Sequence, residues 1–180
     1  MIWTQFNIGK YDFLTKHSEF ISNLPKMEQT LIGLFMRNEK QKDIGKILGI
    51  TQGAVSSRLG RAITRLKYLR ELSAINFNQF FKDMDKISSP LEMEIIKGLV
   101  ETSCQTETAW RINARYNLKG LKKMNQVKVR HRLEIILKNL KEVGNHIRVY
   151  KRHSVTLDKV MKSLYILHEV KLPHFDRVRT

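Results

Sequence analysis

Residues 41–66 read QKDIGKILGITQGAVSSRLGRAITRL. Ile44, Ile47 and Leu48 recur at the spacing that lines one side of a short helix. Gly49 follows, the residue type that takes the left-handed helix-ending conformation without a Cβ penalty. Ile50 is an apolar plug at the corner, and Thr51 carries a hydroxyl able to cap the next helix. From Gln52 onward Val55, Leu59, Ala62, Ile63, Leu66 and Leu69 hold a helical stripe to about Leu72. Short helix, glycine corner, longer helix is the sequence form of a helix-turn-helix.

The surrounding chain reads the same way. Phe13, His17, Phe20, Ile21 and Leu24 predict a first helix over 12–23, and Pro25 suits the first position of a second, where its missing N–H costs nothing. Met27, Leu31, Leu34 and Phe35 give that second helix its apolar stripe, to about Asn38. Alternating β-type runs are almost absent, so the fold class is all-α.

The second half echoes the first. A shift of 65 residues lays Pro25 on Pro90, Leu31 on Ile96, Leu34 on Leu99, Phe35 on Val100 and Ile47 on Ile112. With nine residues inserted, Val55 falls on Val129, Arg58 on Arg132, Leu59 on Leu133, Ala62 on Ile136, Ile63 on Leu137, Leu66 on Leu140 and Leu69 on Val143. Ser89-Pro90-Leu91-Glu92 spells a capping box; Asn125 can cap the last helix of this copy and Gly144 can end it. The expected organisation is two tandem helix-turn-helix units plus a C-terminal helix. Residues 1–72 hold the first unit and 73–88 a helical connector packed through Phe77, Phe80 and Phe81. Residues 89–144 hold a divergent second unit. Residues 145–180 hold a basic segment, an amphipathic helix over 156–170 and a flexible tail.

Thirty-three Lys plus Arg against seventeen Asp plus Glu give a net charge of +16, which points to a polyanion. Twelve basic and six acidic residues lie in 1–75, three and six in 76–110, eighteen and five in 111–180. Two basic blocks separated by an acidic one fit two contact surfaces. No run approaches the roughly eighteen apolar residues of a membrane span, and Met1-Ile2-Trp3-Thr4-Gln5 lacks the character of a signal peptide. Basic amphipathic helices on a membrane surface would not call for the glycine corner. Double-stranded DNA is the expected partner. Gly53 and Gly60, which cost helix stability roughly 1 kcal/mol each relative to alanine, suit a helix lying close to DNA or to a neighbouring helix.

Leu24-Pro25-Lys26-Met27-Glu28, Lys42-Asp43-Ile44-Gly45-Lys46-Ile47-Leu48-Gly49-Ile50-Thr51-Gln52, Val55-Ser56-Ser57-Arg58-Leu59 and Leu66 together resemble region four of bacterial sigma factors. The resemblance covers residues 24–72 and, more weakly, 89–143. It implies a recognition helix that enters the major groove of promoter DNA, in a protein that acts with RNA polymerase. The implied base readers are Thr51, Gln52, Ser56, Ser57 and Arg61, with Arg58, Arg65 and Lys67 reaching phosphates. Gln52 can pair with an adenine edge and Arg61 with guanine. In the second unit Trp110 stands in the place of Gly45 and the corner is lengthened to ARYNLKGLKKMN; Lys119, Lys122, Lys123, Lys128, Arg130 and Arg132 still favour DNA contact there. Nothing resembles the sigma region that melts the minus-ten element, so a complete housekeeping-type factor is not expected.

No catalytic constellation is present. The chain has no phosphate-binding glycine loop, no zinc-protease motif and one cysteine, Cys104. No enzyme activity, cofactor or metal is expected. Asp83 and Asp85, two apart on a helix, point away from each other. The reading is therefore a sigma-like regulator of transcription, a monomer or dimer rather than a ring, in the cytoplasm of a bacterium or a phage-infected one. The alternative is the DNA-recognition subunit of a phage packaging machine, or an architectural DNA binder.

Overall fold

A computed structural model of the chain describes residues 5–167 and 170–172. All regular structure among them is helical. The order is α1 (Gln5–Lys16), a 3₁₀ turn (Ser18–Asn23), α2 (Lys26–Met36), α3 (Gln41–Leu48), α4 (Gln52–Ser73), α5 (Phe77–Asp85), α6 (Pro90–Thr102), α7 (Gln105–Arg115), a second 3₁₀ turn (Gly120–Lys122), α8 (Gln126–Glu142) and α9 (Gly144–Ile166). The described residues up to Ser73, together with 170–172, form one compact unit; Ala74 to Leu167 form another.

In the first unit the helix expected over 12–23 begins earlier and stops at Lys16, because His17 (φ −119°, ψ 26°) leaves helical geometry. The chain tightens into the 3₁₀ turn and then extends at Leu24 (ψ 160°), as a residue before proline must. Gln29 Nε2 donates to the carbonyls of Ser22 (3.1 Å) and Leu24 (2.7 Å), satisfying groups that this break would orphan. Pro25 sits one residue outside α2 rather than within it: its ψ of 145° is extended, while its carbonyl accepts from the N–H groups of Glu28 and Gln29. Leu31, Ile32 and Phe35 on α2, Ile44 on α3, and Val55, Leu59, Ala62, Leu66, Leu69 and Leu72 on α4 make the core. Burial of each large aliphatic is worth about 1.5–3 kcal/mol. At the far end of the chain Val170 is buried, and the N–H of Lys171 donates to Asn23 O at 2.7 Å.

One expectation about α3 fails. Ile47 is 60% exposed; the inner arc consists of Ile44, Gly45 and half-buried Leu48. Gly45 explains the roll. A Cβ there would stand 2.6 Å from Ile50 O, so α3 presses its glycine against the corner and turns Ile47 outward.

In the second unit α6, α7 and α8 pack against one another. Its core joins Ile95, Leu99, Ala109, Ile112, Met124, Val129, Leu133 and Leu164. Here the close approach lies between α6 and α7, where a Cβ on Gly98 would meet Thr108 Cγ2 at 2.7 Å. Ile44 and Ala109 both face inward, but Gly45 is buried where Trp110 is exposed, and Ile47 is exposed where Ile112 is buried. Ser89 and Glu92 form the expected capping box. The N–H of Lys128 donates to Asn125 Oδ1 at 2.8 Å, starting α8. Gly144 does not end a helix; it begins α9. The break is the single residue Val143 (ψ 117°), whose carbonyl accepts from the N–H groups of His146 and Ile147. The basic segment after 144 is thus the first half of α9. Of the expected tail, residues 173–180 lie outside the described residues.

α5 packs with α9 through a buried polar knot. Asp83 Oδ2 accepts from Arg152 Nη1 at 3.0 Å and lies 2.9 Å from His153 Nε2, with Lys86 Nζ 3.6 Å from Oδ1. The hydrogen bonds to His153, Gln79 and Arg152 hold the Asp83 carboxyl well below the usual carboxylate range. Asp85, by contrast, is exposed.

Candidate nucleic-acid interface

The corner that aims α4 is locked by local chemistry. Gly49 closes α3 at φ 65°, a conformation glycine adopts at no steric cost. The N–H of Ile50 donates to Gly45 O at 2.9 Å. Thr51 Oγ1 accepts from the N–H of Ala54 at 3.1 Å, capping α4 as its sequence position predicts.

At about 100° per residue, the side of α4 opposite Val55, Leu59, Ala62 and Leu66 carries Gly53, Ser57, Gly60 and Thr64, all exposed. This ridge is nearly bare of side chain. No atom would lie within 4 Å of a Cβ at Gly60, and at Gly53 only Thr51 Oγ1 would, at 4.0 Å. No neighbouring helix of the described chain therefore explains the two glycines. Ser56 and Lys67 flank the ridge on one side and Arg61 on the other, with Thr51 and Gln52 exposed at its leading end. Arg58 is half-buried at the border of the apolar face.

Two of the cations assigned to phosphates are engaged within the unit. Arg65 Nη1 donates to Glu28 Oε1 in an ion pair whose side chains are 15% and 5% exposed. Lys67 Nζ stands 5.7 Å from the centroid of the Phe13 ring, within the range of a cation–π contact. The Glu28–Arg65 pair escaped sequence reading, although a signal existed: Glu28 falls in helical register with Leu31, Ile32 and Phe35, a carboxylate on an apolar stripe.

In the second unit Lys119, Lys122 and Lys123 stand exposed on the long corner. Lys128 is turned back on that corner, its Nζ donating to Leu121 O (2.7 Å) and Lys123 O (2.9 Å). Asn113 closes the corner from the other side, accepting from the N–H of Met124 (2.7 Å) and donating to its carbonyl (2.8 Å). Arg130 pairs with Glu134 at 3.0 Å; Arg132 is exposed. Among the described residues no group of His, Cys, Asp or Glu could hold a metal ion, and no helix is long and apolar enough to cross a membrane.

A locked three-residue corner, a bare ridge and a rim of polar and cationic side chains recur together over one short segment. Residues 21–68 match the family model described as Sigma-70, region 4. The match runs from within the first 3₁₀ turn through α2 and α3 and along most of α4, and it covers well under half the chain. The segment thus resembles the helix-turn-helix of sigma-70 region 4. Comparison with curated proteins found no match, and comparison with solved structures found none.

Proposed function

We propose that the protein is a sequence-specific, duplex-DNA-binding transcription regulator that places α4 in the major groove and acts with RNA polymerase. The observation that carries this reading is the ridge of Gly53, Ser57, Gly60 and Thr64. A helix that pays for two glycines, with no neighbouring helix of the described residues against them, is shaped for a close external surface. Gln52 and Arg61 at the edges of the ridge carry the donor patterns that suit adenine and guanine edges. Ser56 and Ser57 serve as shorter polar contacts. Arg58, Lys67 and the lysines of the second-unit corner, with Arg132, supply phosphate contacts that position without specifying. The polymerase partnership is supported by the sigma-like match alone.

Duplexes selected from a random pool by the intact chain provide the test. Gln52→Ala or Arg61→Ala should cost about 1–3 kcal/mol on the selected site and relax base preference there. If both weaken random and selected duplexes equally, neither residue reads bases and the proposal is wrong. Co-purification with RNA polymerase from a host lysate tests the partner separately, and its absence would leave a DNA binder that works without the enzyme.

A further inference from the structure

The second unit exposes apolar groups where its fold has the means to hide them. Trp110 on α7 is 67% exposed and Leu121, at the tip of the corner, 98% exposed. Both line one open cleft of about 490 Å³, with Thr106, Met124, Gln126 and Lys123 around it. The corner is not loose: the two Asn113 bonds to Met124 and the two Lys128 bonds to Leu121 and Lys123 fix its backbone. Leu121 is therefore held outward.

The charge around the cleft has one sign. Residues 116–132 contain six Lys or Arg and no carboxylate. The flanking carboxylates are already taken, Glu107 by Arg111 at 3.0 Å and Glu134 by Arg130 at 3.0 Å. Lys119, Lys122 and Lys123 are exposed and have no carboxylate partner among the described residues.

An exposed indole beside a small apolar wedge, amide and hydroxyl groups on the walls, and lysines on the rim match the needs of one ligand class. We infer that this cleft receives an unpaired nucleotide of a single nucleic-acid strand, its base stacked on Trp110 against Leu121 and its phosphates on Lys119, Lys122 and Lys123. Base-on-aromatic stacking tolerates any base, and a cationic track follows the backbone. A lipid surface fits less well, because Thr106, Gln126 and Asn125 interrupt the apolar lining with groups that hydrocarbon would leave unsatisfied. The inference does not rest on the reading of α4.

The test uses the full chain carrying Trp3→Phe, which leaves Trp110 as the sole tryptophan, with a short oligothymidylate as probe. Binding should quench the Trp110 emission. Trp110→Ala should weaken oligonucleotide binding by roughly 5- to 100-fold, while Trp110→Phe keeps most of it. Replacing Lys119, Lys122 and Lys123 with alanine should flatten the log–log salt slope by about 2, at about 0.7 per phosphate on a single strand. Blunt duplex affinity should be unchanged by Trp110→Ala and reduced by Arg61→Ala, so failure of this inference and failure of the α4 reading are separable. No quenching, or full oligonucleotide affinity in Trp110→Ala, overturns the inference. A Trp110 response to phosphatidylserine vesicles but not to oligothymidylate overturns it in favour of a membrane.

Discussion

Arg65 and Glu28 meet side chain to side chain between α4 and α2, and the second carboxylate oxygen of Glu28 is buried without a hydrogen-bond partner among the described residues. The pair ties α4 to α2. Arg65→Ala would leave that carboxylate buried and unpaired, a loss of about 3–5 kcal/mol. Glu28→Leu with Arg65→Leu should recover most of the loss in a urea titration, since apolar replacement of a buried pair is often neutral or better. The double variant should also hold its affinity for duplex DNA. A tenfold or greater drop on all sequences would show instead that Arg65 leaves Glu28 to grip phosphate.

Gly60→Ala separates stability from binding. The added methyl meets nothing among the described residues, so the first unit should gain roughly 1 kcal/mol from helix propensity. Duplex affinity should fall if the ridge enters the groove as proposed, because the methyl stands on that ridge. A variant that is more stable and binds equally well would remove the ridge from the interface.

His17 sets a pH response for the first unit. Burial is the main cause of its lowered pKa, with Arg70 and Lys16 adding to it and Glu19 opposing. The unfolded state then binds more protons than the folded one below the ordinary histidine range of about 6.5. Stability is full above that pH and is lost as pH falls through the lowered value. Between about pH 7.5 and about pH 5.5 the denaturant midpoint of the intact chain should fall further than that of His17→Phe. Parallel loss in both would assign the effect to another group.

Asp83 places the second unit's response in a different window. Its carboxyl is held down chiefly by the His153 hydrogen bond, then by those of Gln79 and Arg152. Its contribution is therefore complete above an unfolded pKa of about 3.9 and disappears only as the solution becomes more acid. Asp83→Asn should destabilise the chain at neutral pH and blunt the steep acid loss of the parent. Hydrogen exchange, read separately on α5 and α9, would locate it; an unchanged acid profile would show that Asp83 does not control it.

What could be read from residues alone was mostly local. Gly49, Thr51, Ser89 and Asn125 act within three or four positions of themselves, and all four do what their positions predict. The roll of α3 against α7 was not legible, because it depends on which helix pair makes the close contact, Gly45 with the corner or Gly98 with Thr108. Nor were the pairs Glu28–Arg65 and Asp83–His153, whose members lie 37 and 70 positions apart. A helix end was expected at Gly144, but the immediate restart of helix there was missed, because the carbonyl of Val143 takes up the N–H groups of His146 and Ile147. On α4 the exposure of Thr51, Gln52, Ser56, Ser57 and Arg61 was legible from their positions off the stripe, whereas the internal engagement of Arg65 and Lys67 required the packed partners Glu28 and Phe13.

The hydrogen bond from Lys171 to Asn23 and the burial of Val170 give the first unit a final piece that is translated after residues 74–168 of the second. A nascent chain can assemble α2, α3 and α4 as they leave the ribosome, but residues 170–172 join them only after nearly a hundred more residues have been added. The second unit is in this sense an insertion into the first. A premature stop just before residue 169 would leave every helix of the DNA-binding segment intact and still yield an unfinished domain.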